Sequence, residues 1–198
     1  MGRLERSPPH VGARIRAAVS AAALSYAGIC ACDVGAAMDF LDQRGLAVGG
    51  VDVLGYSMGG ATALLASPNE PLVRAVAEDS GYSDLRDLIE TEVPKASGLP
   101  GFFTPGMIFA ARAFVRADLY AVRPIDGVPS LARRGIPLLV IHGEADGYVP
   151  VVNGYRIAAA YGPTVQTMFV PGADHVRSYE LDPTEYIARL TAFFDGAA

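Results

Sequence analysis

The sequence predicts an α/β fold: a mostly parallel sheet with helices on both faces and a helical cap insertion. Three observations carry that expectation. Short apolar runs bounded by turn residues alternate with longer segments of helical spacing, the pattern that buries a parallel sheet between helix layers. One run, Val51-Asp52-Val53-Leu54, leads through Gly55-Tyr56-Ser57-Met58-Gly59 into the small-residue stretch from Gly60 to Ala66. Between Tyr82 and Ala132 the alternation breaks into pieces punctuated by Pro and Gly, as an insertion would.

Taken in order, Asp33 is a candidate cap for a helix carrying Val34, Ala37, Met38 and Leu41 on one face, with Gly45 as its stop. Strands are expected near Val51 to Leu54, Leu72 to Ala77, Ile136 to Ile141 and Val165 to Val170. Helices are expected from Val151 to Ala160 and from Pro183 to Phe194, the second behind Asp182 with Glu185 completing a capping box. Inside the break, Leu85 to Ile89 and Met107 to Phe114 read as helical. The insertion, about residues 84–132, carries Phe102, Phe103, Met107, Phe109 and Phe114. It reads equally as a cap over a site or as a second small core.

Upstream of Asp33 no strand is evident, and the alanine-rich stretch from Ala17 to Leu24 reads as helix. The early strands of the sheet are therefore expected to be missing, leaving an edge open to a second copy of the chain as a homodimer. A single domain over 1–198 is expected, with 1–32 an irregular or helical N-terminal segment.

With 198 residues, 51% hydrophobic and 19% charged, the chain can bury one sizeable core. A net charge of -5 and scattered arginines exclude a nucleic-acid surface, which needs clustered positive charge. Cys30 and Cys32 complete no ligand set with a neighbouring Cys or His, so neither metal nor cofactor is expected. So few cysteines favour a reducing compartment, hence the cytoplasm. The alternative is export or membrane association through the N-terminal segment, where Arg3, Arg6, Arg14 and Arg16 accompany the run from Ala17 to Leu24. Against it, that run is mostly alanine and no stretch reaches the roughly 20 apolar residues of a membrane span.

The chemistry-bearing residues fall on three loops. Ser57 sits at a strand-to-helix turn, where flanking glycines let the backbone crowd the helix and push the hydroxyl outward. A serine hydroxyl needs a base within reach, and that base needs an anion to hold its tautomer. Of the histidines, His10 lies in the N-terminal segment and His142 directly follows a strand. His175, in the loop Gly172-Ala173-Asp174-His175 after the last strand, is the favoured base. Asp146, in Glu144-Ala145-Asp146-Gly147-Tyr148, is the favoured acid, with Glu144 and Asp174 as alternatives.

On those residues the chain resembles the α/β-hydrolase superfamily, closest to its esterase-like and prolyl-oligopeptidase-like branches, over roughly Asp33 to Phe194. The resemblance rests on the elbow Gly55 to Gly60, the acid loop His142 to Pro150 and the histidine loop Gly172 to His175, in that order. It implies a serine hydrolase cleaving carboxylic esters through an acyl-enzyme. Ser57 is then the nucleophile, His175 the general acid and base, Asp146 the orienting carboxylate, and the Met58 N–H an oxyanion donor. Tyr56, Tyr82, Phe102, Phe103 and Met107 are candidates for the pocket of a small-molecule ester or acyl substrate. The superfamily's second oxyanion donor follows an early strand, and the sequence shows no such unit. Losing one donor costs on the order of 100- to 1,000-fold in rate, so a catalytically impaired fragment or scaffold is the alternative reading. A peptidase of the prolyl-oligopeptidase-like type is a further one.

Overall fold

The computed structural model describes residues 16–19, 27–115 and 119–197. In it five strands form one sheet in sequence order: β1 (Arg16–Val19), β2 (Val51–Tyr56), β3 (Val73–Asp79), β4 (Leu138–Gly143) and β5 (Gln166–Val170). Every neighbouring pair is parallel. Parallel neighbours need crossovers, and helices supply them: α1 (Ala27–Gln43), α2 (Met58–Ala66), the insertion helices α3 (Leu85–Ser97), α4 (Thr104–Val115) and α5 (Val128–Arg133), then α6 (Val152–Tyr161). After β5 come the short α7 (Ser178–Leu181) and the closing α8 (Pro183–Gly196).

The period-two alternation of β2, β3 and β4 sends successive side chains to two cores. On one face Val51, Val53, Val76, Leu138 and Val140 pack with Val34 and Met38 of α1, Leu64 of α2, Leu131 of α5 and Ile157 of α6. On the other, Ala75, Ala77, Leu139 and Ile141 pack with Tyr186, Leu190, Phe193 and Phe194 of α8. Small alanines on β3 leave room for the rings of α8. The helix begins as the sequence indicates, with the Asp182 side chain accepting the Glu185 N–H at 3.0 Å.

Two expectations are corrected. The alanine-rich stretch does not read as helix throughout, because residues Arg16–Val19 form β1 against β2. Neither Arg nor Ala favours a strand, so backbone pairing with the apolar β2, not propensity, places it. Val19 is registered against Gly55, so the chain leaves β1 at the sheet end that carries Ser57. The residues after it, 20–26, lie outside the described residues, as do His10 and most of the N-terminal segment. Second, α1 starts at Ala27, six residues before Asp33, which stands exposed inside the helix and does not cap it. Cys32 is exposed and free, while the Cys30 side chain lies outside the described part.

The insertion contains no strand among its described residues. Phe102 is 75% exposed and Phe109 76%, which argues against a second core there; Phe114's side chain lies outside the described part. Among the described residues no helix is long and apolar enough to cross a membrane.

Candidate active site

Ser57 joins β2 to α2 with φ 52° and ψ −117°, a conformation that a non-glycine residue holds only where its surroundings impose it. Its N–H donates to the Asp79 carbonyl at 2.8 Å, and its carbonyl accepts the Ala61 N–H at 3.1 Å. Strand and helix approach so closely that a Cβ on Gly55 would stand 2.3 Å from the Gly59 carbonyl oxygen. Sharpness of the turn thus depends on glycine at position 55, and it presents the hydroxyl at the carboxyl edge of the sheet.

Two further loops meet it there. His175 Nε2 lies 2.9 Å from Ser57 Oγ, and Nδ1 lies 2.8 Å from Asp146 Oδ2. With Nδ1–H donating to the carboxylate, Nε2 keeps the lone pair that faces the hydroxyl. Asp146 Oδ1 in turn accepts the N–H groups of Tyr148 and Val149 at 2.9 and 2.7 Å. Burial opposes its charge, yet the neighbouring His142 ring and the hydrogen bonds from His175 and the Val149 N–H outweigh that and hold the carboxyl well below the usual range. The sequence alternatives stand elsewhere. Glu144 is exposed. Asp174 accepts the N–H of Gly147 at 3.1 Å and of His175 at 2.7 Å, stitching the acid loop to the histidine loop.

Several supporting residues were not singled out from the sequence. His142, fully buried, donates from Nε2 to the Val149 carbonyl at 2.8 Å and sits 3.5 Å from the Asp146 oxygen that His175 uses. Asp79 accepts Ser80 Oγ–H at 2.9 Å and Tyr186 O–H at 2.8 Å. The Ser80 hydroxyl oxygen accepts the Val176 N–H at 3.2 Å, so β3 and α8 together anchor the loop that carries His175. Positive φ at Ser57, Ser80 and Val176 concentrates backbone strain around this one point. Asn153 of α6 accepts the N–H and O–H of Ser83 at 3.1 and 2.8 Å and donates to the Pro150 carbonyl at 2.9 Å. The one local signal for these residues is position: Asp79 and His142 stand at the ends of strands.

Glu78 lies beneath the elbow, fully buried, with Oε2 accepting the Gly81 N–H at 2.8 Å and Oε1 without a hydrogen-bond partner. Burial pushes its pKa from 4.5 up to about 7. The unfolded carboxyl ionises near 4.5 and the folded one near 7, so its contribution to stability is full below pH 4.5 and is lost as pH rises through about 7. Glu78→Gln keeps an acceptor for Gly81 and removes the buried charge. Thermal unfolding at pH 8 should show the variant more stable than the parent by on the order of 3 kcal/mol, with no gain at pH 4. An equal effect at both pH values contradicts this.

The pocket candidates are dispersed. Tyr82, 4% exposed, packs with Ala61 and Val149 in a small cluster that Met58 also touches. Tyr56 lines a cavity of about 360 Å³ with Tyr179, Tyr186 and Phe194, on the α8 side of the sheet. Phe102 and Phe103 stack on each other at 4.2 Å between ring centres, and both are exposed, as is Met107. Tyr148, absent from the sequence candidates, stands edge-on to the His175 ring at 5.1 Å. Among the described residues no group of His, Cys, Asp and Glu is placed to hold a metal ion.

Comparison with known structures bears on the fold. The Pyrococcus furiosus esterase Pf2001 is similar at TM-score 0.64 and 20% identity, over 83% of this chain and 60% of that one. An α/β hydrolase from a lagoon-sediment metagenome of Mar Chica, Morocco, matches at 0.56 and 19%, over 89% and 73%. A puromycin-hydrolyzing peptidase of Mycobacterium tuberculosis matches at 0.56 and 23%, over 76% and 22%. The chain thus spans 60% of the length of the Pyrococcus esterase. No curated protein matches it. The model of the prolyl oligopeptidase family matches residues 20–198, nearly the whole chain. With an α/β-hydrolase sheet carrying serine, acid and histidine loops in that family's order, the chain belongs to the prolyl oligopeptidase family.

Proposed function

We propose that the protein is a serine hydrolase that cleaves carboxylic ester bonds of a small-molecule acyl substrate through an acyl-enzyme. The observation that carries this reading is the unbroken line from Ser57 Oγ to His175 at 2.9 Å and from His175 to Asp146 at 2.8 Å. Ser57 Oγ attacks the ester carbonyl while its proton passes to His175 Nε2. Asp146 holds the imidazole tautomer and stabilises the imidazolium that forms. The negative charge on the tetrahedral intermediate meets the Met58 N–H. As the first residue of α2, Met58 offers one of the amides that a helix leaves without an internal partner. Collapse of the intermediate breaks the bond to the alkoxy oxygen, which takes the proton from His175. Water, deprotonated by the same imidazole, then attacks the acyl-Ser57 ester and releases the acid.

A peptide amide is the second reading, favoured by membership of the prolyl oligopeptidase family. The two are separated by assaying p-nitrophenyl butyrate beside peptidyl p-nitroanilides. The expected result is ester turnover well above anilide turnover, and its loss in Ser57→Ala. Undiminished ester turnover in Ser57→Ala overturns the proposal, and a preference for the anilides replaces it with the peptidase.

A further inference from the structure

We infer that the groove between α3 and Tyr148 is the acyl-binding cleft, and that it selects linear, uncharged acyl chains of medium length. This rests on the reading of Ser57, His175 and Asp146 given above. The cleft has a volume of about 460 Å³ and is lined by Leu85, Leu88, Ile89, Val93, the Glu92 and Lys95 pair, and Tyr148. That volume lies within the range of small-molecule sites.

Two independent contacts aim the groove at the reacting atoms. Its wall, Tyr148, packs edge-on against the His175 ring at 5.1 Å, and the Tyr148 N–H is held by Asp146 at 2.9 Å. Its floor, Leu85 and Leu88, packs against the cluster of Ala61, Tyr82 and Val149 that Met58 also joins. One side of the cleft thus touches the base and the other adjoins the residue that follows the nucleophile. A chain lying in it has its carboxyl end at Ser57.

Chemistry and length narrow the occupant. Glu92 and Lys95 are paired with each other at 2.6 Å, so they add no net charge and the remaining side chains offer apolar surface. A charged or strongly polar acyl group would lose hydration there without gaining a partner. At about 1.5 Å of rise per residue, the α3 face from Leu85 to Val93 runs about 12 Å. With C–C bonds of about 1.5 Å in a zigzag, that length takes an acyl chain of about eight to ten carbons. The aromatic residues of the α3 to α4 connection are not among those lining this groove, so they do not set the length.

The test is a series of p-nitrophenyl esters from acetate to decanoate. kcat/KM is expected to rise about 2- to 4-fold per added methylene until the floor is covered, as apolar area leaves water. Ile89→Asp and Val93→Asp, both partly exposed in the parent and so tolerable to folding, should bring the octanoate to acetate ratio close to one. A flat series in the parent overturns the assignment, and so does a rising series that neither variant alters. Failure of the site reading is distinguishable, since ester turnover would then be absent or would survive in Ser57→Ala. In that case octanoate binding to Ser57→Ala, measured by calorimetry, decides. Binding weakened about 5-fold or more by Ile89→Asp upholds the cleft, and no binding, or binding the variant leaves unchanged, overturns it.

Discussion

Asp146→Asn is expected to lower kcat on an ester substrate by about 10,000-fold, with the fold intact. The reason lies in which atoms of the carboxylate are already committed. Oδ1 accepts two N–H groups, from Tyr148 and Val149, so an amide NH₂ placed there would set donor against donor. The amide nitrogen is therefore forced to the Oδ2 position, 2.8 Å from His175 Nδ1. Facing a donor, Nδ1 must give up its proton and become the acceptor, which leaves the proton on Nε2 opposite Ser57. An imidazole in that tautomer cannot take the serine proton. Steady-state turnover of p-nitrophenyl butyrate, with circular dichroism as the control for folding, measures the loss. A reduction of less than about 10-fold means that the tautomer is fixed by something other than this carboxylate.

Gly55→Ala is the second large effect, and it acts on the scaffold. The added methyl carbon meets the Gly59 carbonyl oxygen at 2.3 Å, the Gly59 carbonyl carbon at 2.4 Å and the Gly60 nitrogen at 2.6 Å. All three are backbone atoms of the elbow, with no flexible side chain to yield, so β2 and α2 must separate. Overpacking of this kind costs on the order of 3 kcal/mol or more, a large share of the total stability of a domain this size. The displaced elbow also loses the Ser57 geometry, so stability and turnover fall together. Gly106→Ala in α4 serves as the control: nothing lies within 4 Å of the added carbon, and an exposed helical site gains about 1 kcal/mol from the change. Chemical denaturation of both variants checks the contrast, and a Gly55→Ala protein as stable as the parent contradicts the account of the turn.

How much of this was legible in the sequence depends on how local each signal is. Strands β2 to β5 announce themselves as short apolar runs between turn residues, and the Asp182 cap of α8 is a four-residue pattern. Ser57, Asp146 and His175 could be picked out because each follows a strand, and the structure brings the three within hydrogen-bond reach. Their supports were not legible. Nothing near His142 in sequence says that it shares an oxygen with His175, and the link from Asp79 to Tyr186 spans more than half the chain. Strand β1 was missed because Ala17 and Ala18 carry no strand signature of their own and depend on β2 for their pairing. The aromatic residues of the insertion stand out in the sequence by size, whereas the ring against His175 is that of Tyr148, two positions after Asp146.

Intact-mass and peptide-map analysis after treatment with a fluorophosphonate reads out whether Ser57 is an activated nucleophile. A single adduct on Ser57 is expected, absent in Ser57→Ala and formed at least 100-fold more slowly in His175→Ala. A folded, monodisperse protein that takes no label, or takes it on another residue, contradicts it.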